Sequence, residues 1–352
     1  MLFSYRIMAI PSKKLAKEDG YTRLKDDFKG YLAGTVFFKN TIIHGYPHIK
    51  RIFTLEEGIK RNIKEDGFSV EEKIDGYNVR VAMVGGEVFA FTRAGKIEPY
   101  ASEKLSFLKE FFKENPGIVV CGEMVGNTPF TPPTDGFDFR FYVFDFMKEK
   151  TILPFDEKQK LIKEYNLLQV PFLGKFRKSE EPWKKLREIA SFLNKGKSEG
   201  MVIKALSGKE AVKYVTPNAD IEDIRQNARF VFDMPVGFFN QRVFRSALFL
   251  EEFGMDVEEY KKRLGDAFYS SLLEGIKQLK KEGVVREEFR VFVEKEETWN
   301  AIYSVLKKSK EIEISDVYKW KEGNRIGVRF SKIYRKTTEK LRRFLSGYAI
   351  QD

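Results

Sequence analysis

The stretch GFSVEEKIDGYNVRVAMVGGEVFAFTR, residues 67–93, decides the fold of the central part of the chain. Apolar and polar residues alternate on both sides of Gly85-Gly86, as expected for two antiparallel strands joined by a tight turn. The pattern predicts a β-hairpin that carries Lys73 near its start. With the turn centred on the glycine pair, Asn78 lies opposite Arg93, so two polar side chains meet beside Lys73.

Helical and strand patterns alternate downstream of this hairpin. We expect a helix that is capped by Ser102 and that ends at Asn115-Pro116-Gly117. Further strands are predicted at residues 118–121, 139–146, 201–206 and 210–215, and further helices at residues 156–165 and 179–193. Residues 61–220 therefore predict an α+β domain dominated by antiparallel sheet.

Long amphipathic helices are predicted beyond residue 220. Their apolar stripe can pack within one monomer or against a second copy, and it consists of Tyr260, Leu264, Phe268, Leu272, Ile276 and Leu279. A strand-like segment at residues 290–293 and a basic helical segment at 334–344 follow. We expect an N-terminal domain at residues 1–60, the central domain at 61–220, a helical module at 221–290 and a small C-terminal domain at 291–352.

The composition leaves few choices for catalytic groups. The chain of 352 residues has one cysteine, Cys121, and two histidines, His44 and His48. It therefore lacks the residues for a disulfide framework or a cysteine-rich zinc site, and it poorly supplies a histidine-based one. Catalysis is expected from Lys, Arg, Asp and Glu. The excess of 63 Lys+Arg over 52 Asp+Glu gives a net charge of +11, which suits a polyanionic partner and equally suits simple solubility.

The distribution of apolar and basic residues bears on location and partners. No run of about 18 apolar residues occurs, and the N-terminal residues do not have the pattern of a secretory signal. We therefore expect a cytoplasmic protein without membrane association. Basic clusters at residues 60–64, 277–281 and 335–343 could follow a nucleic-acid backbone, although charged helix faces explain them as well.

A series of short motifs follows Lys73. Lys73-Ile74-Asp75-Gly76 is the pattern of enzymes whose lysine attacks a nucleotide α-phosphate, although this pattern alone is a weak signal. The motifs that follow it are Arg93 in FTRAG, Glu123 in GEMVG, Phe144-Asp145 in FYVFDF, Glu199 in EGMVIK and Lys213 in AVKY. Taken together, the series resembles the covalent nucleotidyltransferase superfamily of ligases and capping enzymes.

Within that superfamily the chain most resembles RNA ligases, in particular the archaeal homodimeric ATP-dependent type. Glu72-Lys73, Asn78, Gly122-Glu123 and FYVFD carry the resemblance, which covers about residues 70–215 and rests elsewhere on layout and length. It implies an α+β fold: an antiparallel-sheet, ATP-grasp-like adenylyltransferase domain, an N-terminal domain, a helical dimerisation module and a small C-terminal domain. DNA ligases and capping enzymes usually have Arg at the position of Asn78 and a terminal Arg-x-Asp-Lys motif that is not found here.

The resemblance also implies roles, which physical chemistry supports. Lys73 would form the bond to AMP, and it must first lose its proton with the help of cations such as Lys213, Lys204 and Mg²⁺. Glu199 would bind Mg²⁺, because a hard cation prefers carboxylate oxygen. Lys213 would hold the α-phosphate in the transition state. These ligases often have a second lysine where this chain has Val215, so part of the phosphate clamp is unexplained, with Lys204 as a candidate substitute.

The other motif residues are expected to surround the nucleotide. Glu72 would contact the edge of adenine and Phe144 would stack on its face, although Phe144 also fits an apolar core. Arg93 would contact phosphates, and Glu123 would accept hydrogen bonds from the ribose hydroxyls. The expected ATP-binding set is completed by Ile74, Asn78 and Lys204, and the expected supporting residues are Asp75, Gly76 and Asp145.

The resemblance predicts an enzyme that uses ATP with Mg²⁺ or Mn²⁺ to join RNA 5′-phosphate and 3′-hydroxyl ends. The reaction would pass through a lysyl-AMP and an RNA-adenylate, act on single-stranded RNA, often give circles, and be carried out by a homodimer. One alternative is a DNA ligase or a GTP-dependent capping enzyme. Another is a non-catalytic RNA-binding protein of the same fold, which is disfavoured because Lys73, Glu199 and Lys213 are all present.

Overall fold

The computed structural model describes residues 10–349. Residues 1–9 and 350–352 lie outside the described residues, and with them lies nearly all of the N-terminal segment in which no secretory signal is expected. The described chain begins with four short strands, which are β1 (Leu15–Glu18), β2 (Tyr21–Leu24), β3 (Val36–Phe38) and β4 (Thr41–Ile43). They form an antiparallel sheet in chain order.

Two five-stranded sheets form the centre of the molecule. Their strands are β5 (Lys50–Arg51), β6 (Gly67–Lys73), β7 (Tyr77–Val84), β8 (Glu87–Thr92), β9 (Ile118–Gly126), β10 (Phe139–Lys148), β11 (Thr151–Ile152), β12 (Phe172–Arg177), β13 (Gly200–Ala205) and β14 (Ala211–Val215). One sheet has the order β12-β6-β13-β14-β5, and the other has the order β11-β10-β9-β7-β8. Every pairing is antiparallel except that of β5 with β14, which confirms the predicted α+β class.

The predicted hairpin is confirmed around Gly85-Gly86, but Lys73 does not belong to it. The hairpin consists of β7 and β8, whereas Lys73 ends β6 in the other sheet. The link of residues 74–76 carries the chain from one sheet to the other. A Cβ atom on Gly76 would lie 2.3 Å from the carbonyl oxygen of Met124, so this close crossing requires glycine. Alternation continues through both strands and therefore does not reveal the break.

Five helices flank the central sheets, namely α1 (Leu55–Asn62), α2 (Pro99–Lys104), α3 (Lys109–Glu114), α4 (Phe155–Glu164) and α5 (Trp183–Lys195). The prediction that Ser102 caps a helix is wrong. Glu98 caps α2 by accepting hydrogen bonds from the backbone amides of Tyr100 and Ala101, because Pro99 fixes the first helical position. Ser102 lies inside the helix, where its Oγ accepts a hydrogen bond from the amide of Ala90 at 2.9 Å.

The last third of the described chain begins with three helices and continues with a three-stranded sheet and two further helices. Its elements are α6 (Pro217–Asn227), α7 (Phe238–Phe253), α8 (Val257–Glu282), β15 (Arg286–Val293), α9 (Glu296–Lys307), β16 (Ile312–Glu322), β17 (Arg325–Tyr334) and α10 (Arg335–Leu345). The three strands have the order β15-β17-β16. On α8, Tyr260 packs with Ile221 and Leu250 of α6 and α7, so part of the predicted apolar stripe packs within the monomer.

The elements run across the predicted domain limits. Residue 60 lies within α1, residue 220 within α6 and residue 290 within β15. The main core also joins the central domain to the C-terminal sheet, since Val79 and Val81 of β7 share a cluster with Phe289 and Phe330. The division into four domains stays a prediction. Among residues 10–349, no helix is long and apolar enough to span a membrane.

Candidate functional site

A cavity of about 130 Å³ lies between the two central sheets. This volume is below the range of about 300–1,000 Å³ of typical ligand pockets. Every residue that the sequence places in the ATP-binding set lines the cavity together with Lys73. The lining consists of Glu72, Lys73, Ile74, Asn78, Arg93, Glu123, Phe144, Lys204 and Lys213, with Tyr46, Ile49, Glu71, Val170 and Val202.

Lys73 and Glu199 form an ion pair at the edge of this cavity. Lys73 is the last residue of β6 and pairs with Gly200 of β13, so that Glu199 lies just beyond the strand end. The Nζ of Lys73 donates a hydrogen bond to Oε2 of Glu199, and about a fifth of each side chain is exposed. This contact holds the amine of Lys73 at the carboxylate of Glu199.

Lys213, in the lining of the cavity, lies next to a second cation, Arg51. Strand β5 runs parallel to β14 and places Arg51 in register with Lys213. Burial lowers the pKa of Lys213 to about 8, and the charges of Arg51, Lys73 and Arg93 contribute to this shift. Among residues 10–349, the buried Nε of Arg51 has no hydrogen-bond partner. Two cations therefore lie side by side, and one of them has a donor left for an anion.

Arg51 is a residue that the sequence does not single out. It carries no motif and lies in a segment whose predicted domain differs from that of Lys213. Only the parallel pairing of two short strands brings them together, and short strands leave a weak pattern. Val215, where a second lysine was expected, pairs with Gly200 and is buried.

Three carboxylates surround Lys73. Burial raises the pKa of Glu123 to about 7, with Glu199 and Asp75 adding to the shift while Lys73 opposes it. Burial and the charge of Glu199 likewise raise the pKa of Asp75 to about 6. Mutual repulsion of this kind favours a bound cation or donor groups of a ligand.

Asn78 lies opposite Glu123 in the pairing of β7 with β9. Within the described part of the chain, its buried Oδ1 atom has no hydrogen-bond partner. A buried unpaired acceptor is costly unless a ligand supplies a donor. Arg93 follows directly after β8, as the predicted register requires, and its Nη2 lies 2.9 Å from Nδ1 of His48. Asn78 and Arg93, the two polar side chains predicted beside Lys73, therefore both line the same cavity as Lys73.

Phe144 forms an aromatic wall of the cavity. It lies at a bulge of β10 between Val143 and Asp145, and its ring meets the ring of Tyr46 edge to face at 5.4 Å. Phe144 is half-buried, so the ring both joins the neighbouring core and presents a surface to the cavity.

Lys204 lies on the Phe144 side of the cavity in a buried network of charges. Its Nζ is 3.0 Å from Oδ1 of Asp145 and 2.8 Å from Oε2 of Glu71, and Lys158 pairs with Glu71 as well. Burial alone would lower the pKa of Lys204, but Asp145 and Glu71 raise it above its usual value. Two carboxylates therefore pair with Lys204, whereas Arg51 is the cation next to Lys213. The role of Lys204 as a substitute for the second lysine stays a prediction.

The carboxylates at the mouth of the cavity fit a divalent cation that is also bound by phosphate. Among residues 10–349, no group of three or more His, Cys, Asp or Glu side chains could hold a metal ion by itself. Glu199 nevertheless provides a carboxylate beside Lys73, with Asp75 and Glu123 near enough to respond to its charge. Mg²⁺ is usually bound by one or two carboxylates, with phosphate and water completing the shell.

Comparisons with known proteins agree with this arrangement. A family model of RNA ligases matches residues 66–215, and a model of the C-terminal region of ligase Pab1020 matches residues 226–348. The uncharacterized protein MJ0414 of Methanocaldococcus jannaschii is 34% identical over 362 residues, which cover 96% of this chain and 91% of that protein.

Solved structures also match almost the whole chain, and two of them serve as examples. One is provisionally named as an ATP-dependent DNA ligase from Aquifex aeolicus; it is 37% identical, has a TM-score of 0.92, and the match covers 99% of this chain and 100% of that one. The other is named as an archaeal ATP-dependent RNA ligase; it is 28% identical with a TM-score of 0.88, over 99% of this chain and 96% of that one.

The fold and the matches together define a ligase enzyme. The chain belongs to the RNA ligase family. The family resemblance in the motifs around Lys73 is thereby confirmed, whereas the roles of individual residues stay predictions.

Proposed function

We propose that the protein is an ATP-dependent RNA ligase that joins 5′-phosphate and 3′-hydroxyl ends through a lysyl-AMP and an RNA-adenylate. The observation that carries the proposal is the position of Lys73 in the cavity. Its amine lies beside the carboxylate of Glu199, on a lining that also contains the cation Lys213 and the aromatic ring of Phe144. The carboxylate suits a metal ion that is bound by the phosphates of a nucleotide. The cation suits its α-phosphate, and the aromatic ring suits its base.

In the first step the amine of Lys73 attacks the α-phosphorus of ATP. A P–N bond forms, the bond to the β-phosphate oxygen breaks, and pyrophosphate leaves. Before attack, the ion pair with Glu199 opens and the ammonium of Lys73 releases a proton to water. A second proton leaves the nitrogen for water as the P–N bond forms. Lys213 and Arg51 stabilise the charge that develops on the α-phosphate oxygens, because partly buried cations interact strongly with a transition-state anion.

The remaining lining residues select the nucleotide. Phe144 stacks on adenine, and Glu72 contacts its edge. The Oδ1 of Asn78 accepts a hydrogen bond from one ribose hydroxyl, and the carboxylate of Glu123 accepts a hydrogen bond from the other. Arg93 binds phosphate oxygens, while Ile74 packs against the nucleotide. Gly76 permits the chain crossing described above, and Asp75 and Asp145 support the site through the charges on Lys73 and Lys204.

In the later steps AMP passes from Lys73 to an RNA 5′-phosphate, which restores the amine and forms a phosphoanhydride. An RNA 3′-oxygen then attacks the 5′-phosphate, and AMP leaves as the phosphodiester forms. Mg²⁺ or Mn²⁺ held by Glu199 would neutralise phosphate charge when bound. The net charge of +11 favours association with RNA.

Labelling with ATP tests the proposal. Purified protein incubated with ATP labelled in the α-phosphate should gain one AMP on Lys73, and GTP should not replace ATP. The Lys73→Ala variant should gain none, whereas Lys209→Ala, which changes an exposed lysine, should be labelled normally. An adduct in Lys73→Ala, or a folded wild-type protein without any adduct, would falsify the assignment.

A sealing assay decides between RNA and DNA as substrate. We expect 5′-phosphorylated single-stranded RNA to be joined, with circles as the main product at low RNA concentration. Nicked duplex DNA is the competing substrate, since one close structural relative carries a DNA ligase name. Faster sealing of nicked DNA than of RNA would contradict the RNA assignment while leaving the lysyl-AMP chemistry intact.

We also propose that residues 221–290 form a homodimer interface. On α8, Tyr269 and Leu273 are 69% and 49% exposed. They lie one helical turn apart on the same face of the helix. Large apolar side chains grouped on a surface usually mark an interaction site, and a second copy offers the same surface.

A further inference from the structure

A second cavity, of about 470 Å³, lies next to Lys73 on the far side of the 74–76 link. Its walls come from Asp75 and Gly76, from the loop of residues 126–137, from the end of α6 and from the C-terminal sheet. It shares no lining residue with the nucleotide cavity. Because Asp75 is two residues from Lys73, the second cavity is next to the site of AMP attachment.

Lys332 gives this cavity an underused hydrogen-bond donor. The residue is only 7% exposed, and its Nζ donates to the carbonyl oxygen of Pro129 at 2.6 Å. Within the part of the chain that the structure describes, no carboxylate lies within ion-pair distance of the Nζ of Lys332. Burial lowers the pKa of Lys332 to about 8, which is still above neutral pH. An ammonium group has three N–H donors, so Lys332 retains donors for a ligand.

Aromatic rings surround the same ammonium group. Its Nζ lies 3.8 Å from the ring centre of Phe289 and 5.4 Å from that of Phe130. Phe130 is partly exposed and Tyr334 also lines the cavity. Stacking on an aromatic ring stabilises a bound base by about 1–3 kcal/mol, and a lysine at the edge of the base can donate to its oxygen or nitrogen acceptors.

One carboxylate of this cavity, that of Asp75, favours one RNA end over the other. Asp75, Asp223 and Glu287 all lie in the wall, but Arg242 pairs with Asp223 and Arg229 pairs with Glu287. Among residues 10–349, Asp75 forms no ion pair. A carboxylate accepts hydrogen bonds from ribose hydroxyls but repels the charge of about −2 on a terminal phosphate. A 3′-terminal nucleoside carries free hydroxyls, so Asp75 favours the hydroxyl end.

We propose that this cavity binds the 3′-terminal nucleoside of the RNA that provides the attacking hydroxyl. The inference rests on the proposed RNA ligation and adds the site of its second substrate. The base stacks against Phe130 and accepts a hydrogen bond from Lys332, while the sugar faces Asp75. The 3′-oxygen then attacks the adenylylated 5′-phosphate: the new P–O bond forms, AMP leaves with the electrons of the broken bond, and the hydroxyl proton is released to water.

Photocrosslinking tests the binding directly. An RNA with 4-thiouridine at its 3′-terminal nucleotide is irradiated with the wild-type protein, and the modified peptides are identified by mass spectrometry. We expect crosslinks to the peptides that contain Phe130 or Lys332. The same RNA with 4-thiouridine at its 5′ end serves as the control. Crosslinks to these peptides from the 5′ end alone, or from neither end, would overturn the proposal.

Kinetics separate this site from the nucleotide site. RNA that is already adenylylated at its 5′ end is joined to a separate acceptor RNA, so that only the last step is measured. In Lys332→Met and Phe130→Ala the KM for acceptor should rise about tenfold or more, the size of effect that one lost stacking contact or charged hydrogen bond has. Formation of lysyl-AMP and of RNA-adenylate should stay within about twofold of wild type, as should all steps in Lys321→Met, which changes an exposed lysine of the same C-terminal sheet.

The outcomes distinguish this inference from the proposed function. If wild-type protein forms no lysyl-AMP, the ligase mechanism itself fails. If lysyl-AMP forms normally and both variants keep the wild-type KM for acceptor, only the acceptor site fails. An equal loss in the transfer of AMP to the 5′-phosphate would show that the cavity serves the other end of the RNA, which also contradicts the proposal.

Discussion

The Nζ of Lys73, at the end of β6, donates a hydrogen bond to Oε2 of Glu199, the residue that precedes β13. The antiparallel pairing of Lys73 with Gly200 fixes this relationship through the backbone. The proposed nucleophile and the proposed metal ligand therefore form an ion pair with each other. Under the proposed mechanism this pair must open, because the amine and the carboxylate then need other partners.

Replacing Glu199 by Gln should slow formation of lysyl-AMP by about 100-fold, the size of effect that loss of one preorganised electrostatic group usually has. The change also frees Lys73 from its ion pair, which alone would speed the reaction. We expect the loss of the metal ligand to dominate, because ATP carries several negative charges. Single-turnover labelling measures the rate, with Glu180→Gln as the exposed control. A faster reaction in Glu199→Gln would mean that Glu199 only restrains Lys73.

Affinity for ATP should weaken above pH 8. Burial and neighbouring cations lower the pKa of Lys213 to about 8, so its side chain is positive below this pH and becomes neutral above it. The Lys73→Arg variant is suited to the measurement, because it keeps a cation at position 73 and forms no adduct. Its Kd for ATP should rise by up to about tenfold per pH unit above pH 8, as expected when binding requires one proton.

Adding Lys213→Arg to the same variant should remove this pH dependence, because arginine stays charged at every pH of the experiment. Calorimetric titration on either side of pH 8 gives both sets of Kd values. Parallel pH profiles in the two variants would show that another group titrates and that Lys213 does not contact the phosphates.

The sequence predicts the residues of the cavity that contains Lys73 far better than it predicts their neighbours from distant parts of the chain. Lys73, Glu123, Glu199 and Lys213 lie in or beside strands whose residues carry recognisable motifs, so their order along the chain is informative. The turn at Gly85-Gly86 is also strong enough to give the correct register of the hairpin. Local patterns and motifs together therefore bring most of the proposed site into view.

What the sequence does not predict depends on contacts between distant segments. The three-residue link after Lys73 moves it to another sheet without interrupting the alternation of apolar and polar residues. Arg51 reaches Lys213 through a two-residue parallel strand, and Lys332 reaches the loop at Pro129 through packing of the C-terminal sheet. Neither Arg51 nor Lys332 lies in a recognisable motif, because the residues that each contacts are distant in the sequence.

Breaking the buried charge network should destabilise the protein strongly. The side chains of Lys158 and Glu71 are 4% and 3% exposed, so Lys158→Met leaves the carboxylate of Glu71 with one cation fewer in a buried place. Loss of one partner of a buried ion pair costs about 3–5 kcal/mol. Urea unfolding should show a decrease of this order in the free energy of unfolding.

The exposed pair of Lys175 with Asp156 provides the matched control. Lys175 Nζ lies 3.2 Å from Asp156 Oδ1, with side chains 45% and 85% exposed. Lys175→Met should change the free energy of unfolding by less than about 1 kcal/mol, because solvent screens exposed pairs. Equal losses in the two variants would contradict a special role for burial in the network around Glu71.

Replacing Leu273 by Asp should convert the proposed homodimer into a monomer. A carboxylate at the centre of an apolar interface loses its hydration without gaining a partner, and each dimer would contain two such groups. Sedimentation velocity measures the change, and Phe192→Asp, at a residue that is 72% exposed on α5, controls for added charge outside the helical module. A dimer that persists in Leu273→Asp would exclude this face of α8 as the interface, and a monomeric wild-type protein would exclude the dimer altogether.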